Sequence, residues 1–497
     1  MKRGLSTVFL LFSAIAAFPQ TFTWTENCLN AYAEAMRLNF NKTHQLVLAE
    51  QKANPDNYIA AYAESQVDFI RCFISESVDD LDALKERNSK RIDKISSLKV
   101  KSPYTRLLIA EYNIQTAMAR LKFEEYLGAV YETRKAFRLL EENKKLYPDF
   151  KPTLKGLGFI HAFVGTVPKN YQWMLNLLGF SGTIDQGLKE MRELMAVSGK
   201  EYTWLHDETM VILTFLEMNL LRKKDDEQIR KRFNSIAHIE DKPLMLFAKC
   251  VYHFANAEND SVIRLLSSRN TPDDSYKLYY LDYMEGIARL NKLDATAENC
   301  FKKYVSGFKG KTFVKSAYQR LAWTRLIQGD VTGYRQYIKL AGEKGSGNTF
   351  SDEDKQAVKE ATGNEVPNVI LLRSRLLFDG GYYQNSIAEI SGKPTSDFPL
   401  LRDKLEFTYR LARIFDKTNK KEKAIQYYQQ TIENGKNFHF YFAANSALQL
   451  GLLYEEKGDM EKAAACYRQC IGMRDHEYQN SLDQKAKAGL SRVEKKN

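Results

Sequence analysis

The sequence predicts an all-α protein, a solenoid of stacked antiparallel helix pairs broken by one glycine-rich apolar insert. Three observations carry that expectation. Apolar residues recur at i, i+3 and i+4 in helix-length segments almost throughout, and period-2 alternation is nowhere sustained. The 497 residues include only 11 prolines, too little punctuation for a large β protein. Helix pairs repeat towards the C-terminus, so each pair has a neighbour against which to bury its apolar face. With 44% hydrophobic and 27% charged residues, the chain is neither wholly disordered nor collagen-like. Its length allows about three domains or one long array, with a core that needs no metal or disulfide staple.

The elements follow in chain order. Residues 1–17 read as a secretory leader: Lys2 and Arg3 precede Leu5 to Ala17, an almost wholly apolar or small run, and Ala14-Ile15-Ala16 offers small residues for a signal peptidase. The run is short for a membrane span, and no later segment reaches the length of one. An exported protein is expected, periplasmic or secreted, from a bacterial source. Cys28 follows Thr25-Glu26-Asn27, which is not a lipid-attachment context. The net charge of +11 comes from basic residues interleaved with acids, as in Lys223-Lys224-Asp225-Asp226-Glu227. That pattern reads as solvated helix faces and an acidic partner or surface, with no nucleic acid expected. Six cysteines (Cys28, Cys72, Cys250, Cys300, Cys466 and Cys470) are far too sparse for a disulfide scaffold. An even count permits pairing without assigning it, and Cys28 and Cys72 lie on neighbouring predicted helices where they can meet.

Residues 18–150 read as N-terminal helical repeats, with helix pairs at Leu29 to Ile70 and Tyr104 to Leu146. Residues 151–200 are the insert and the helix after it. Gly156, Gly158, Gly165 and Pro168 precede the apolar run Tyr171 to Leu178, expected to be a short buried helix. Gly179 would stop it in the left-handed conformation, with Phe180 folding back on Met174 or Leu175 in a Schellman closure. Thr183 with Gln186 three residues later predicts a capping box for the next helix. Residues 201–345 carry degenerate pairs at Leu244 to Leu266, Tyr276 to Tyr304 and Ser316 to Leu340.

Residues 346–497 hold the clearest repeats. In Ala444 to Ile471, Leu450, Gly451 and Tyr454 are followed by Gly458, Ala463, Tyr467 and Cys470. One repeat earlier, Leu411, Ala412 and Phe415 lead to Ala424 and Tyr428 in the same register, offset by 39 residues. Small residues stand where two helices approach closely, aromatics fill the space around them, and a glycine makes the turn. A third copy spans Leu371 to Ile390 around Gly380-Gly381. These positions resemble the tetratricopeptide repeat. The run from Leu146 to Met191 is similar to the tetratricopeptide repeat protein 39 family, which includes the fungal inclusion-body clearance proteins. The likeness lies in the Tyr-Pro-Asp entry, the glycine-rich helix, the Val-Pro turn and the Leu-Gly-Phe-Ser-Gly exit. It implies a tetratricopeptide-like solenoid over most of the chain and a non-catalytic protein. The leader departs from those intracellular relatives.

Catalytic constellations are near misses. Gly342 to Thr349 has phosphate-loop spacing, but Asn348 stands where the lysine is needed and a helix precedes it, so a connector is expected. Gly179-Phe180-Ser181-Gly182-Thr183 lacks the final glycine of a nucleophile elbow. Seven histidines (His44, His161, His206, His238, His253, His439 and His476) form no zinc motif. Cys466 and Cys470, one helical turn apart, read as packing, and the acids at Asp79-Asp80-Asp82 and Asp352-Glu353-Asp354 as helix-start charges. No enzyme, metal or cofactor is expected.

The expected function is a non-enzymatic exported scaffold that binds a protein or peptide. Its groove-facing helix A positions in the two clear repeats would be Glu406, Tyr409, Arg413, Asp416, Asn445, Leu448 and Glu455. They mix both charges with an aromatic and do not form the Lys/Asn/Arg set that grips a free C-terminal carboxylate. The alternative is a lipid- or membrane-associated envelope factor that uses the insert near residues 160–180, with Tyr171, Trp173, Met174 and Phe180 as its apolar contact.

Overall fold

The residues that stop each helix also turn the chain into the next one, so helix ends account for most of the architecture. The computed structural model describes residues 21–167, 172–221, 226–347, 351–363 and 365–494. The expected leader and Tyr171 lie outside the described residues. Within them the regular structure is entirely helical, with twenty-five α-helices and no strand. Among the described residues no helix is long and apolar enough to cross a membrane.

The chain divides into two compact units. The first comprises residues up to Ala248 together with Arg269–Leu278, and the second Lys249–Ser268 together with Tyr279 onwards. The first begins with α1 (Glu26–Met36), α2 (Phe40–Ala53), α3 (Ile59–Ser75), α4 (Val78–Ser96), α5 (Pro103–Lys122) and α6 (Tyr126–Leu146). It continues with α7 (Thr153–Gly165), α8 (Gln172–Leu177), α9 (Ile184–Ser198), α10 (Thr203–Leu220) and α11 (Glu227–Asn234). Helix α12 (Pro243–Ala255) carries the division, and α13 (Asn259–Ser267) follows it. The second unit runs on through α14 (Tyr280–Asn291), α15 (Ala297–Gly307), α16 (Val314–Ile327), α17 (Val331–Glu343) and α18 (Asp352–Thr362). Then come α19 (Val369–Asp379), α20 (Tyr383–Ile390), α21 (Leu401–Lys417), α22 (Lys421–Gly435), α23 (Phe442–Glu456), α24 (Met460–Gly472) and α25 (Gln479–Glu494).

One turn recurs. Between α23 and α24, Gly458 is left-handed at φ +80°, its N–H donates to Glu455 O, and the Asp459 N–H reaches back to Tyr454 O. This is a Schellman closure, which satisfies carbonyls at the end of one helix while aiming the chain into the next. The same pair of bonds closes the turns at Ala257, Leu293, Gly329, Gly381 and Asn419 in the second unit, and at Leu38 and Glu124 in the first. Seven residues before the left-handed residue of each of these six closures in the second unit stands a small, buried one: Cys250, Gly286, Ala322, Ser374, Ala412 and Gly451. At Gly286 and Gly451 an aromatic from the partner helix fills that gap, and at Ser374 the partner is Ser386. A Cβ on Gly286 would lie 2.7 Å from the Phe301 ring, and one on Gly451 2.6 Å from that of Tyr467. Helices one pair apart also touch, α19 with α21, α21 with α23 and α23 with α25, so each pair packs on its sequence neighbours.

In the insert, α7 and α9 cross at backbone contact. A Cβ on Gly187 would stand 2.4 Å from Gly158 O and 2.5 Å from Ala162 N, and one on Gly165 2.3 Å from Ile184 N. The crossing buries His161, whose Nδ1 sits 2.6 Å from Glu190 Oε2, and Lys144 salt-bridges the same carboxylate at 2.7 Å. Thr183 caps α9 by accepting from the Gln186 N–H, but the Gln186 side chain lies against His161 Nε2 at 3.3 Å instead of closing the capping box.

Two sequence expectations need correction. The run through Leu178 is not a buried helix. Six residues of α8 expose one face, with Trp173 63% and Leu177 77% accessible, while Leu175 and Leu178 hold the other to the core. The Schellman closure is present, with Phe180 N–H donating to Leu175 O and Gly179 N–H to Asn176 O. All six cysteines are buried. Cys28 and Cys72 belong to different apolar clusters and form no disulfide, because α1 and α3 each turn their cysteine into a different layer.

Candidate functional site

Within the second unit, successive pairs leave a cleft of about 900 Å³. Its lining comes from α14, α16, α19, α21 and α23, with α18 and residues 365–368, 439–441 and 477–478 along its edges. Arg375 and Arg413 each stand six residues before the left-handed residue of their own turn, as does Trp323, while Arg320 and Arg410 stand nine before theirs. The repeat therefore delivers cationic and aromatic side chains to the cleft from one pair after another.

The cleft is densely wired. Glu406 and Arg410 are both buried on α21 and paired at 2.9 Å. Burial alone would raise the Glu406 carboxyl, but Arg410, Arg375 and Arg402 outweigh it and hold that carboxyl below its ordinary value. Arg413 donates to the Tyr409 hydroxyl at 2.8 Å, which also accepts from Asn445 Nδ2 at 2.8 Å. Arg375 lies 4.4 Å over the Trp323 ring, and the indole N–H donates to Glu360. Asp403 is different: burial, then Glu406, push its carboxyl up to about 6, with Arg402 opposing. A carboxyl raised on folding contributes stability below its unfolded value and loses it as pH rises through the folded one. Thermal unfolding of Asp403→Asn should therefore match wild type near pH 4, and its midpoint should exceed that of wild type above pH 6.

Of the residues expected in the groove, Glu406, Tyr409, Arg413 and Asn445 line this cleft. Leu448 does not; only 3% exposed, it belongs to the apolar core. Asp416 turns to Lys421 and Tyr428 within its own pair. Glu455 accepts from Tyr467 and Arg492 and so ties α23 to α24 and α25. Arg320, Trp323, Arg375, Arg402, Arg410 and Tyr441 were not anticipated from the sequence. Counting back from each turn glycine or asparagine would have found Trp323 and Arg375 at the register of Arg413. Among the expected apolar contacts, Trp173 and Met174 are exposed, but Phe180 is buried against Phe137 at 5.7 Å and is not available for docking.

Helices α21 with α22 and α23 with α24 carry the comparison with known proteins. Residues 408–434 and 444–476 each match a family model described as the tetratricopeptide repeat. Two of the helix pairs are tetratricopeptide repeats. The other closures described above share their turn geometry and their small buried residue. No curated protein matches the chain in sequence. Among solved structures, the chain is similar to yeast Tom70 at 9% identity and a TM-score of 0.24, over 94% of this chain and 88% of that one. It is similar to Cut9–Hcn1, an APC/C hetero-tetramer, at 11% identity and a TM-score of 0.24, over 93% and 95%.

The first unit holds a second constellation. Lys155 is buried on α7 between two carboxylates, 2.7 Å from Glu111 Oε2 and 3.1 Å from both oxygens of Glu208. Tyr32 donates to Glu208 at 2.8 Å and Tyr62 to Glu111 at 3.2 Å. Trp24 and Trp204 stack at 4.1 Å alongside, and a small hollow of about 290 Å³ opens beside Tyr32, Trp204 and Glu208. Among the described residues, His238, Glu240 and Asp241 bring three ligand atoms within 4.8 Å of one another, all at the surface.

Proposed function

We propose that this chain is a non-enzymatic, exported scaffold that binds a protein or peptide partner along the cleft of its second unit. The observation that carries the reading is the convergence of arginines and aromatics from successive repeat pairs on one open cleft, next to two tetratricopeptide repeats. Export rests on the leader pattern at residues 1–17, and kinship with the tetratricopeptide repeat protein 39 family on the run at 146–191. A photo-crosslinking residue in place of Asn445 or His439, in the cleft, should capture a partner in the producing cell. The same residue in place of exposed Glu422, outside the cleft, should not. Equal capture from all three positions would sink the cleft reading. N-terminal mass spectrometry should find the mature chain beginning after Ala16 or a few residues later; an intact Met1 refutes export.

A second reading, contact with an anionic membrane surface, is favoured by one observation. Leu127 at 90% exposure, with Trp173 and Leu177, leaves large apolar side chains in water on α6 and α8. Arg134, near Gly179 at the end of α8, adds positive charge. Flotation of the purified protein with phosphatidylserine vesicles, abolished by Trp173→Ser, would support it. Absence of flotation in the wild type would refute it.

A further inference from the structure

The arginines of the cleft are unequally served. Arg410 has Glu406. Among the described residues, Arg413 has a phenol hydroxyl and the face of Phe378 at 5.1 Å but no carboxylate within ion-pair distance. Arg375 has the face of Trp323 and makes no hydrogen bond or ion pair with a described residue. Arg402 makes no hydrogen bond or ion pair with a described residue, although it lies close enough to Glu406, Glu477 and Asp403 to feel their charge. Three guanidinium groups, those of Arg375, Arg402 and Arg410, thus act on the single carboxylate of Glu406, and Arg410 already holds it. Asp403 offsets part of the charge of Arg402, and the other acids do not redress the balance. Glu360 is taken by Gln319, Trp323 and Tyr334, and Glu477 by Lys359. Asp352, Glu353, Glu365 and Asp379 are exposed, where water screens them. A half-buried cation without a counter-charge has given up hydration for little return, and a guanidinium offers a planar fork of donors matched to an oxyanion.

We infer that the cleft contains an oxyanion subsite in which Arg375 and Arg413, at the same register on the neighbouring helices α19 and α21, receive one acidic side chain, a carboxylate or a phosphate, from a bound peptide whose flanking residues are neutral or basic. The flanks follow from the rim: exposed Asp352, Glu353, Glu365 and Asp379 repel a run of acids and attract lysines or arginines. A wholly acidic segment would satisfy the subsite and be rejected by the edges. The inference rests on the cleft reading proposed above and names the chemistry of its occupant.

The test uses the full chain and fluorescently labelled peptides with acetylated and amidated ends, so that only side chains carry charge. Three share lysine-containing flanks and differ at the centre, which is glutamate, phosphoserine or glutamine; a fourth has glutamates throughout. The glutamate or the phosphoserine peptide should bind about tenfold or more tightly than the glutamine peptide, and whichever is tighter identifies the natural group. The all-glutamate peptide should be weaker than the best of these. In Arg375→Met/Arg413→Met the preference should vanish, whereas Arg375→Lys should retain part of it, with unfolding midpoints confirming that the variants fold. Equal affinity for the glutamate, phosphoserine and glutamine peptides in the wild type overturns the subsite, as does a preference that survives in the double variant. Crosslinking from Asn445 separates the two levels: captured partner without charge discrimination overturns only the subsite, and loss of capture removes the cleft itself.

Discussion

Replacing Lys155 with methionine is expected to destabilise the protein by about 3–5 kcal/mol, read as a lowered urea midpoint. The side chain is 7% exposed and lies between Glu111 and Glu208, with Tyr62 also within reach. Burial would lower its ammonium from the ordinary value, but Glu111 and Glu208 more than reverse that and raise it. Methionine nearly matches the stem in volume, so packing changes little and the loss is electrostatic. Two carboxylates then remain close together with no cation, Glu111 buried and Glu208 partly exposed, and Glu111 Oε1 already lacks a hydrogen-bond partner. Adding Glu111→Gln and Glu208→Gln to Lys155→Met should recover most of the stability, because the uncompensated charge, not the missing bond, is the main cost. A triple variant no better than Lys155→Met would refute this account. Fluorescence is a suitable second probe, since Trp24 and Trp204 stack beside Tyr32.

The second large effect is at Gly187, where even alanine should destabilise by about 1–3 kcal/mol and leucine by more. In an ordinary helix interior the sign is reversed, since glycine there is worse than alanine by about 0.5–1 kcal/mol. What reverses it here is the backbone of α7: Gly158 O and Ala162 N occupy the space a Cβ needs, and neither can rotate away. The helices must separate, and the pairing of His161 with Glu190 across the same crossing goes with them. Gly472, at the end of α24 with open space around it, is the control, and its alanine variant should be neutral or slightly stabilised. Thermal unfolding of both variants decides the matter; a stabilised Gly187→Ala would mean the crossing is looser than described.

The helical class was legible because amphipathic spacing survives substitution of almost any individual residue. The clearest repeats were legible where a residue that tolerates the left-handed conformation, Gly458 or Asn419, closes the turn. Gly458 announces its pair, but Ala257 and Leu293 adopt the same left-handed conformation without a residue that advertises it, at a cost of about 1–3 kcal/mol each. Helix α18 stretches the interval between Gly329 and Gly381 beyond the others and breaks the period by which they would be found. The cleft was half legible: Glu406, Tyr409, Arg413 and Asn445 follow from two repeats, whereas Arg375 and Trp323 lie in weaker pairs whose groove positions follow only by counting back from Gly381 and Gly329. The Lys155 cluster was not legible at all, since it joins Tyr32, Tyr62, Glu111, Lys155 and Glu208 from five helices, and no local pattern marks a contact of that separation. Trp173 was misjudged as core because hydrophobicity alone does not reveal that so short a helix has only one side to bury.

The order in which the chain visits its two units limits how it can be divided. Residues 269–278 return to the first unit after the chain has already entered the second. There Tyr276 packs its ring 5.0 Å from that of Phe40, and its N–H donates to the carbonyl of Leu38 at the first turn. A fragment cut at Ala248 would leave Phe40 uncovered and that carbonyl without its donor. A fragment begun at Lys249 would carry the missing strip as an internal loop with nothing to pack against. No single scission yields two intact halves, so dissecting the molecule requires a graft: the first portion must be given residues 269–278 through a linker, and the second must have them spliced out.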